Sequence, residues 1–140
     1  MKTVEPTASQ IQAFAAQTDD TAPIIMLNLL RYRERADYVD YPGELACSGK
    51  EAYQRYAVKA MACIESVGGA VCFAGAAQSV VIGPEGEQWD DVFLIQYPSR
   101  QAFFDMLSSK QYRAIGYHRT AALDDSRLVA IAPGVMHLKV

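Results

Sequence analysis

No apolar run in this chain reaches the roughly 20 residues that a membrane-spanning helix needs. The opening residues, MKTVEPTASQ, lack the apolar stretch of roughly 7–15 residues that marks a secretory leader. Histidine is scarce: His118 and His137 are far apart, with no HxxxH spacing and no carboxylate cluster, so no metal site is indicated. Cysteine is scarce as well. Cys47, Cys63 and Cys72 make an odd number without CxxC spacing, which fits reduced thiols in a cytoplasmic protein better than a disulfide framework. Cys63 and Cys72 fall in apolar runs and read as small core residues. Positive charge is not concentrated. The net charge is −3, and Glu34 and Asp37 interrupt the one dense group, Arg31, Arg33 and Arg35. A nucleic-acid partner would need a basic patch, so it is not expected. Gly68-Gly69 lacks GxGxxG spacing, and no phosphate-cradling loop or internal repeat occurs.

What remains is a globular composition, 51% hydrophobic and 21% charged, in 140 residues, which suits one domain. Thr7-Ala8-Ser9-Gln10 reads as a capping box and predicts a first helix over 6–18, ended by Asp19, Asp20 and Pro23. Ile24 to Leu30 is a short apolar run after a proline, the pattern of a strand buried on both faces, and Arg31 and Tyr32 close it. The polar stretch 31–49 is long for a loop. Ser48-Gly49-Lys50-Glu51 is a second capping box. Tyr53, Tyr56, Ala57, Ala60, Met61, Ile64 and Val67 follow it at helical spacing, and Gly68-Gly69 stops that helix.

Two strands are predicted next, Ala70 to about Gly83 and Trp89 to Tyr97, joined as a hairpin by Gly83-Pro84-Glu85-Gly86. Ser99 caps a helix carrying Phe103, Met106 and Leu107, and Ser109 restarts it through Tyr112, Ile115, Arg119 and Ala122. Asp124-Asp125-Ser126 reads as a break before a last strand, Arg127 to Ile131, and a tail over 133–140.

After the first helix the order is βαββαβ. The predicted fold is therefore α+β and ferredoxin-like, a four-stranded antiparallel sheet with its helices on one face and an extra N-terminal helix. In the first strand Ile25, Leu27 and Leu29 point one way, and Ile24, Met26 and Leu30 the other. Both sheet faces are thus apolar, yet one set of helices hides only one of them. An exposed apolar face is unusual in a soluble monomer, so a second copy is expected to cover it, forming a dimeric barrel.

The chain resembles a bacterial family of uncharacterised small proteins within the dimeric α/β-barrel superfamily. The matching stretches are Val67-Gly68-Gly69, Gly83-Pro84-Glu85, Trp89-Asp90, Gln96-Tyr97-Pro98-Ser99-Arg100 and Phe103-Phe104-Asp105-Met106. Tyr112, Arg119, Ala121-Ala122-Leu123, Asp124 and Ser126-Arg127-Leu128 complete the match, which spans residues 24–132. The resemblance implies the fold and a homodimer. It implies no settled reaction, and no cofactor is expected. Superfamily relatives include cofactor-independent monooxygenases and isomerases that take flat hydrophobic substrates inside each half-barrel.

Asn28 is the unexpected residue, an amide in mid-strand. It is either a polar anchor in a barrel pocket or an amide bonded to a neighbouring strand or across the dimer. Arg31 at the strand end would hold a carboxylate or lie in solvent, with Tyr32 beside it. Trp89 would stack on a flat ligand or pack at a sheet end. Tyr97 joins them as a pocket candidate. His118 and Arg119 are weaker candidates: His118 is either a proton carrier or a surface histidine near a helix end, and Arg119 bonds the last strand or a loop carbonyl in the structural reading. Two functions follow from different classes: a cofactor-independent enzyme for a small hydrophobic or aromatic molecule, or a non-catalytic ligand-binding or stress-associated dimer.

Overall fold

A computed structural model describes residues 1–17 and 21–135. The predicted helix end at Asp19 and Asp20, and most of the 133–140 tail with His137, lie outside the described residues.

Local capping sets the helices. Helix α1 spans Ala8–Ala15, and Thr7 accepts from the Gln10 amide while Gln10 accepts from the Thr7 amide. The same reciprocal pair, Ser48 and Glu51, opens α2, Gly49–Ser66. Gly68, at φ +82°, releases the chain from α2 in a conformation that other residues resist. Ser99 caps α3, Arg100–Ser108, and Ser109 caps α4, Lys110–Arg113; α5 follows at Gly116–Ala122.

Four antiparallel strands, β1 (Ile24–Tyr32), β2 (Ala70–Ala76), β3 (Asp91–Tyr97) and β4 (Leu123–Ile131), lie in the order β2-β3-β1-β4. This is the ferredoxin-like arrangement expected from the element order.

The strand limits correct the sequence reading at three places. β2 ends at Ala76 and β3 begins at Asp91, so residues 77–90 form a long connection and not a tight hairpin. Gly83-Pro84-Glu85-Gly86 does make a turn, with the Glu87 amide donating to the Pro84 carbonyl (3.2 Å), but it sits in the middle of that loop, several residues from either strand. Trp89 lies in the loop, before β3. Asp124, Asp125 and Ser126 do not break the chain but lie inside β4, where Asp125 pairs with Arg31 and Ser126 with Leu30, and Asp124 falls at the register shift.

The side chains of α2 and α3 pack with Met26 and Tyr97 on one sheet face, in a cluster with Ile64, Phe103 and Met106. A second cluster gathers Leu30, Tyr53, Ala122 and Leu123. On β1, Met26 belongs to the first cluster and Leu30 to the second, and Asn28 stands between them. The opposite face carries Ile25, Leu27 and Leu29 beside Val92 and Leu94, with Phe73 and Val129 flanking them. No helix among the described residues covers it.

β4 is an edge strand, and the N-terminal arm shields its start. Thr3 Oγ1 donates to the Ser126 carbonyl (2.6 Å), and Ser126 Oγ donates to the Thr3 carbonyl (2.9 Å). Edge strands left bare invite unwanted pairing, which this contact blocks locally.

Candidate functional site

The position of α2 decides where a site forms. Helices α2 to α5 cover β1 and β3, whereas the helix-side residues of β4 stay open, with Leu128 45% exposed. The N-terminal arm and α1 bridge over this uncovered strip. Phe14 of α1 packs edge-on to Phe103 (6.1 Å between ring centres) and against Phe104 (5.5 Å). Arg100 sits over the Phe14 ring and donates to the Gln17 carbonyl, tying the end of the arm to α3. Between arm, sheet and α2 a cleft of about 740 Å³ remains. Its floor is Met26, Asn28, Phe93, Ile95 and Leu128, and one wall is the Tyr53, Tyr56, Ala57 and Ala60 side of α2.

Asn28 projects into this cleft, on the helix side of the sheet. This corrects the expected barrel pocket: strand alternation puts Asn28 with Met26 and Leu30, and those two are buried under helices. Its Nδ2 donates to the Met26 carbonyl (3.2 Å), within its own strand. No described residue donates to its Oδ1, so that carbonyl faces the cleft.

Three tyrosines of the helices add polar atoms. The Tyr56 and Tyr112 hydroxyls are hydrogen-bonded to each other at 2.8 Å. Tyr53, only 8% exposed, has no hydrogen bond from its hydroxyl to a described residue. Burial pushes the Tyr53 phenol up to about 12, with the Arg119 guanidinium pulling the other way. Burial also carries Tyr56 well above the usual phenol range, and Tyr112 beside it adds to the rise. These phenols are therefore proton donors, not bases, at neutral pH. Arg119 lines the cleft and donates from Nη1 to the Val4 carbonyl (2.9 Å), the loop-carbonyl role expected of it.

The pocket candidates read from sequence do not stay together. Asn28 and Tyr97 line the cleft; Arg31, Tyr32 and Trp89 do not. Tyr97 is tied into the core, its hydroxyl 3.7 Å from Met106 Sδ. Arg31 pairs with Asp124 (3.7 Å) at the end of β1, where Lys2 meets the same carboxylate at 2.9 Å. The Tyr32 hydroxyl donates to Asp91 (2.5 Å), and its amide donates to Asp90 (2.8 Å). The Trp89 ring is taken by the Arg127 guanidinium, 5.1 Å from the ring centre.

His118 is not on the surface. It is 5% exposed, with Nδ1 2.7 Å from the Tyr38 hydroxyl and Nε2 4.0 Å from Glu44. The cause is the connection between β1 and α2, which folds back over α5. The Arg33 amide donates to Ala122 O (2.8 Å), and the Asp37 amide to Ala121 O (2.8 Å). Tyr117, whose ring centre is 4.1 Å from that of His118, donates to Glu44 (2.5 Å), and Tyr41 stacks on Tyr117 at 4.2 Å. Burial lowers the His118 pKa, and Glu44 opposes it only in part. This cluster lies outside the cleft. Among the described residues no group of three or more His, Cys, Asp or Glu could hold a metal ion, and no helix is long and apolar enough to cross a membrane.

Sequence reasoning missed Tyr53, Tyr56 and Tyr112 as site residues because their helical spacing also fits plain core packing. It missed the cleft itself because nothing local tells where α1 will dock.

Fold and site together define a ferredoxin-like α+β protein with a ligand-sized cleft on the helix side of its sheet. Residues 43–134 match the family described as domain of unknown function DUF1330. The chain belongs to that family. No curated protein matches it significantly. Among solved structures it is similar to the RPA0582 protein of unknown function from Rhodopseudomonas palustris, at 38% identity and a TM-score of 0.87, over 97% of this chain and 100% of that one. A NIPSNAP domain protein from Burkholderia xenovorans shares the fold at 11% identity and a TM-score of 0.52, over 83% of this chain and 99% of its own. So does a putative antibiotic biosynthesis monooxygenase from Caulobacter crescentus, at 11% identity and a TM-score of 0.50, over 84% and 94%.

Proposed function

We propose that the chain is a cytoplasmic homodimer, each subunit of which binds a small hydrophobic molecule in the helix-side cleft. The supporting observation is the pairing of an apolar, ligand-sized cavity with two polar atoms that no described residue satisfies, Asn28 Oδ1 and the Tyr53 hydroxyl. Small-molecule sites have this make-up: apolar walls for affinity, a few fixed polar groups for orientation. Both atoms are open to the cleft, so a ligand can hydrogen-bond them in place of solvent. Three free, scattered cysteines, two of them buried, suit a reducing compartment.

Binding is read ahead of catalysis because the described cleft residues include no histidine. Glu5 is their one carboxylate, and it is engaged by Thr120 (2.5 Å). One observation favours the enzymatic reading: protonated phenols and Arg119 meet in the cleft, where they would stabilise an oxyanion developing on a substrate. A cofactor-independent oxygenase or isomerase needs such a group. Oxygen uptake and product analysis with a panel of aromatic quinols test it; no turnover removes it.

Binding itself is tested with a neutral fluorescent probe such as N-phenyl-naphthylamine. The wild type should enhance its emission. Ala57→Trp, which fills the cleft from an exposed position on α2, should abolish the enhancement without unfolding the chain. Asn28→Ala should weaken the probe several-fold while thermal stability falls by no more than one hydrogen bond is worth, about 1 kcal/mol. Equal emission with Ala57→Trp would place the probe elsewhere and end the proposal.

A further inference from the structure

Arg119 differs from the other arginines around the sheet. Arg31 is paired with Asp124, Arg55 with Glu44, and Arg127 with Asp125 and Glu87. Arg127 also lines the cleft, but its charge is already met. Arg119 has no carboxylate within ion-pairing distance among the described residues. Its one hydrogen bond to a described residue, Nη1 to the Val4 carbonyl at 2.9 Å, uses a single donor of a group that offers five. Its charge reaches into the cleft, where it favours ionisation of Tyr53 and Tyr56 against the effect of burial. A cation left without a counter-charge at an apolar wall is costly to desolvate, and an incoming anion relieves that cost.

Arg119, Tyr53 and the Tyr56–Tyr112 pair supply donors to the cleft. The remaining lining includes Phe14, Ile64, Ile95 and Phe103, an apolar cluster against which Tyr56 and Tyr112 also pack. The cleft therefore combines donors around Arg119 with apolar walls, and its one carboxylate, Glu5, is held by the Thr120 hydroxyl instead of by Arg119.

We propose that the cleft selects amphipathic organic acids, taking the carboxylate head on Arg119 with the Tyr53 hydroxyl and the flat apolar body between Asn28 and Phe14. This rests on the cleft being the binding site. Guanidinium and phenol both donate, so a carboxylate satisfies them together, and a guanidinium fork matches both its oxygens. An ester or amide of the same skeleton offers no charge to meet Arg119.

The test is calorimetric titration of the full chain with naphthoate and with its methyl ester at neutral pH. Naphthoate should bind at least about tenfold tighter, and the gap should narrow as salt rises. Arg119→Gln should erase the preference while the ester still binds, and Arg119→Lys should keep part of it. Tyr53→Phe should weaken naphthoate alone. An ester that binds wild type as tightly as the acid overturns the head-group assignment and leaves the cleft standing, as does an undiminished preference in Arg119→Gln. If neither probe binds, both the cleft and the assignment fall. The wild-type pair decides the matter even if losing the Val4 contact unfolds Arg119→Gln.

Discussion

An imidazole packed among Tyr38, Tyr117 and Glu44 feels two opposed influences. Burial disfavours its cation, as do Arg55 and Lys59, while Glu44 at 4.0 Å favours it. Burial wins, so His118 is neutral in the folded chain at neutral pH. Tyr38 is itself a phenol raised by burial, hence a protonated donor to His118 Nδ1. The consequence for stability has a definite sign. The unfolded chain takes up this proton near its ordinary value of 6.5, and the folded chain only at lower pH. Between the two the unfolded state holds more protons, so stability is complete above pH 6.5 and drains away as pH falls through the folded value. The melting temperature of the wild type should therefore drop between neutral pH and about pH 5, and His118→Gln, which keeps an acceptor for Tyr38, should flatten that drop. A melting curve with the same pH dependence in both proteins would show that His118 is not the titrating group. Asp125 acts in the same direction but in a lower window. Burial alone would raise its carboxyl; the Thr3 amide and the Arg127 guanidinium outweigh that and hold it below its ordinary 3.8.

At the scale of elements, the junction of β1, α2 and α5 is built on one glycine. Gly49 opens α2, and its amide donates to the Arg33 carbonyl at 3.0 Å. A Cβ there would stand 2.2 Å from Arg33 O and 2.6 Å from Ala122 O, both backbone atoms that cannot swing aside. Gly49→Ala should destabilise the chain by about 3 kcal/mol or more, visible as a lower urea midpoint with an unchanged slope. A cost within a few tenths of a kcal/mol would mean that α2 shifts freely on the loop. Both capping boxes and the split βαβ order were legible because their signals are local: a side chain bonding an amide three residues away, or apolar residues at a fixed period. The misplaced strand ends have a different origin. Val80, Val81 and Ile82 look like strand residues, yet Val81 and Ile82 are 89% and 95% exposed. Asp90, which would have faced them, is engaged with β1 instead, its amide donating to Leu30 O (2.7 Å) and its carboxylate accepting from the Tyr32 amide (2.8 Å). Asp124 to Ser126 joined β4 because the bulge near Tyr32 and the bonds from Thr3 accommodate polar residues there. The site followed the same division. Asn28 stood out because an amide in a strand breaks a local rule. Tyr53 and Arg119 did not, since their role depends on where the N-terminal arm crosses the sheet, more than a hundred residues away in sequence from Arg119.

For the whole molecule, the two faces of the sheet have unequal fates. The helix side is packed or lines the cleft. The other side offers Leu27, Leu29, Val92 and Leu94 in its centre, with Phe73 38% and Val129 49% exposed at its margins. Strand alternation makes this unavoidable: every residue of β1 from Ile24 to Leu30 except Asn28 is aliphatic, so both faces must be apolar. A monomer would leave that patch in water, at roughly 25 cal/mol for each Å² of apolar surface that a partner could hide. A second copy packed sheet to sheet has the right chemistry, because an isologous contact matches apolar centre to apolar centre. The exposed Val81 and Ile82 of the 77–90 loop offer further apolar surface for the same partner. Sedimentation equilibrium at micromolar concentration should give twice the subunit mass. Ile131→Asp, at the margin of the face and outside the cleft lining, should weaken the dimer, and Leu27→Asp, at its centre, should abolish it. Because the cleft opens on the opposite side of the sheet, a monomeric variant that stays folded should still bind the neutral probe. Loss of binding on dissociation would mean that the partner shapes the cleft through β4, whereas a wild type that sediments as a stable, well-folded single subunit would leave the apolar face without an explanation.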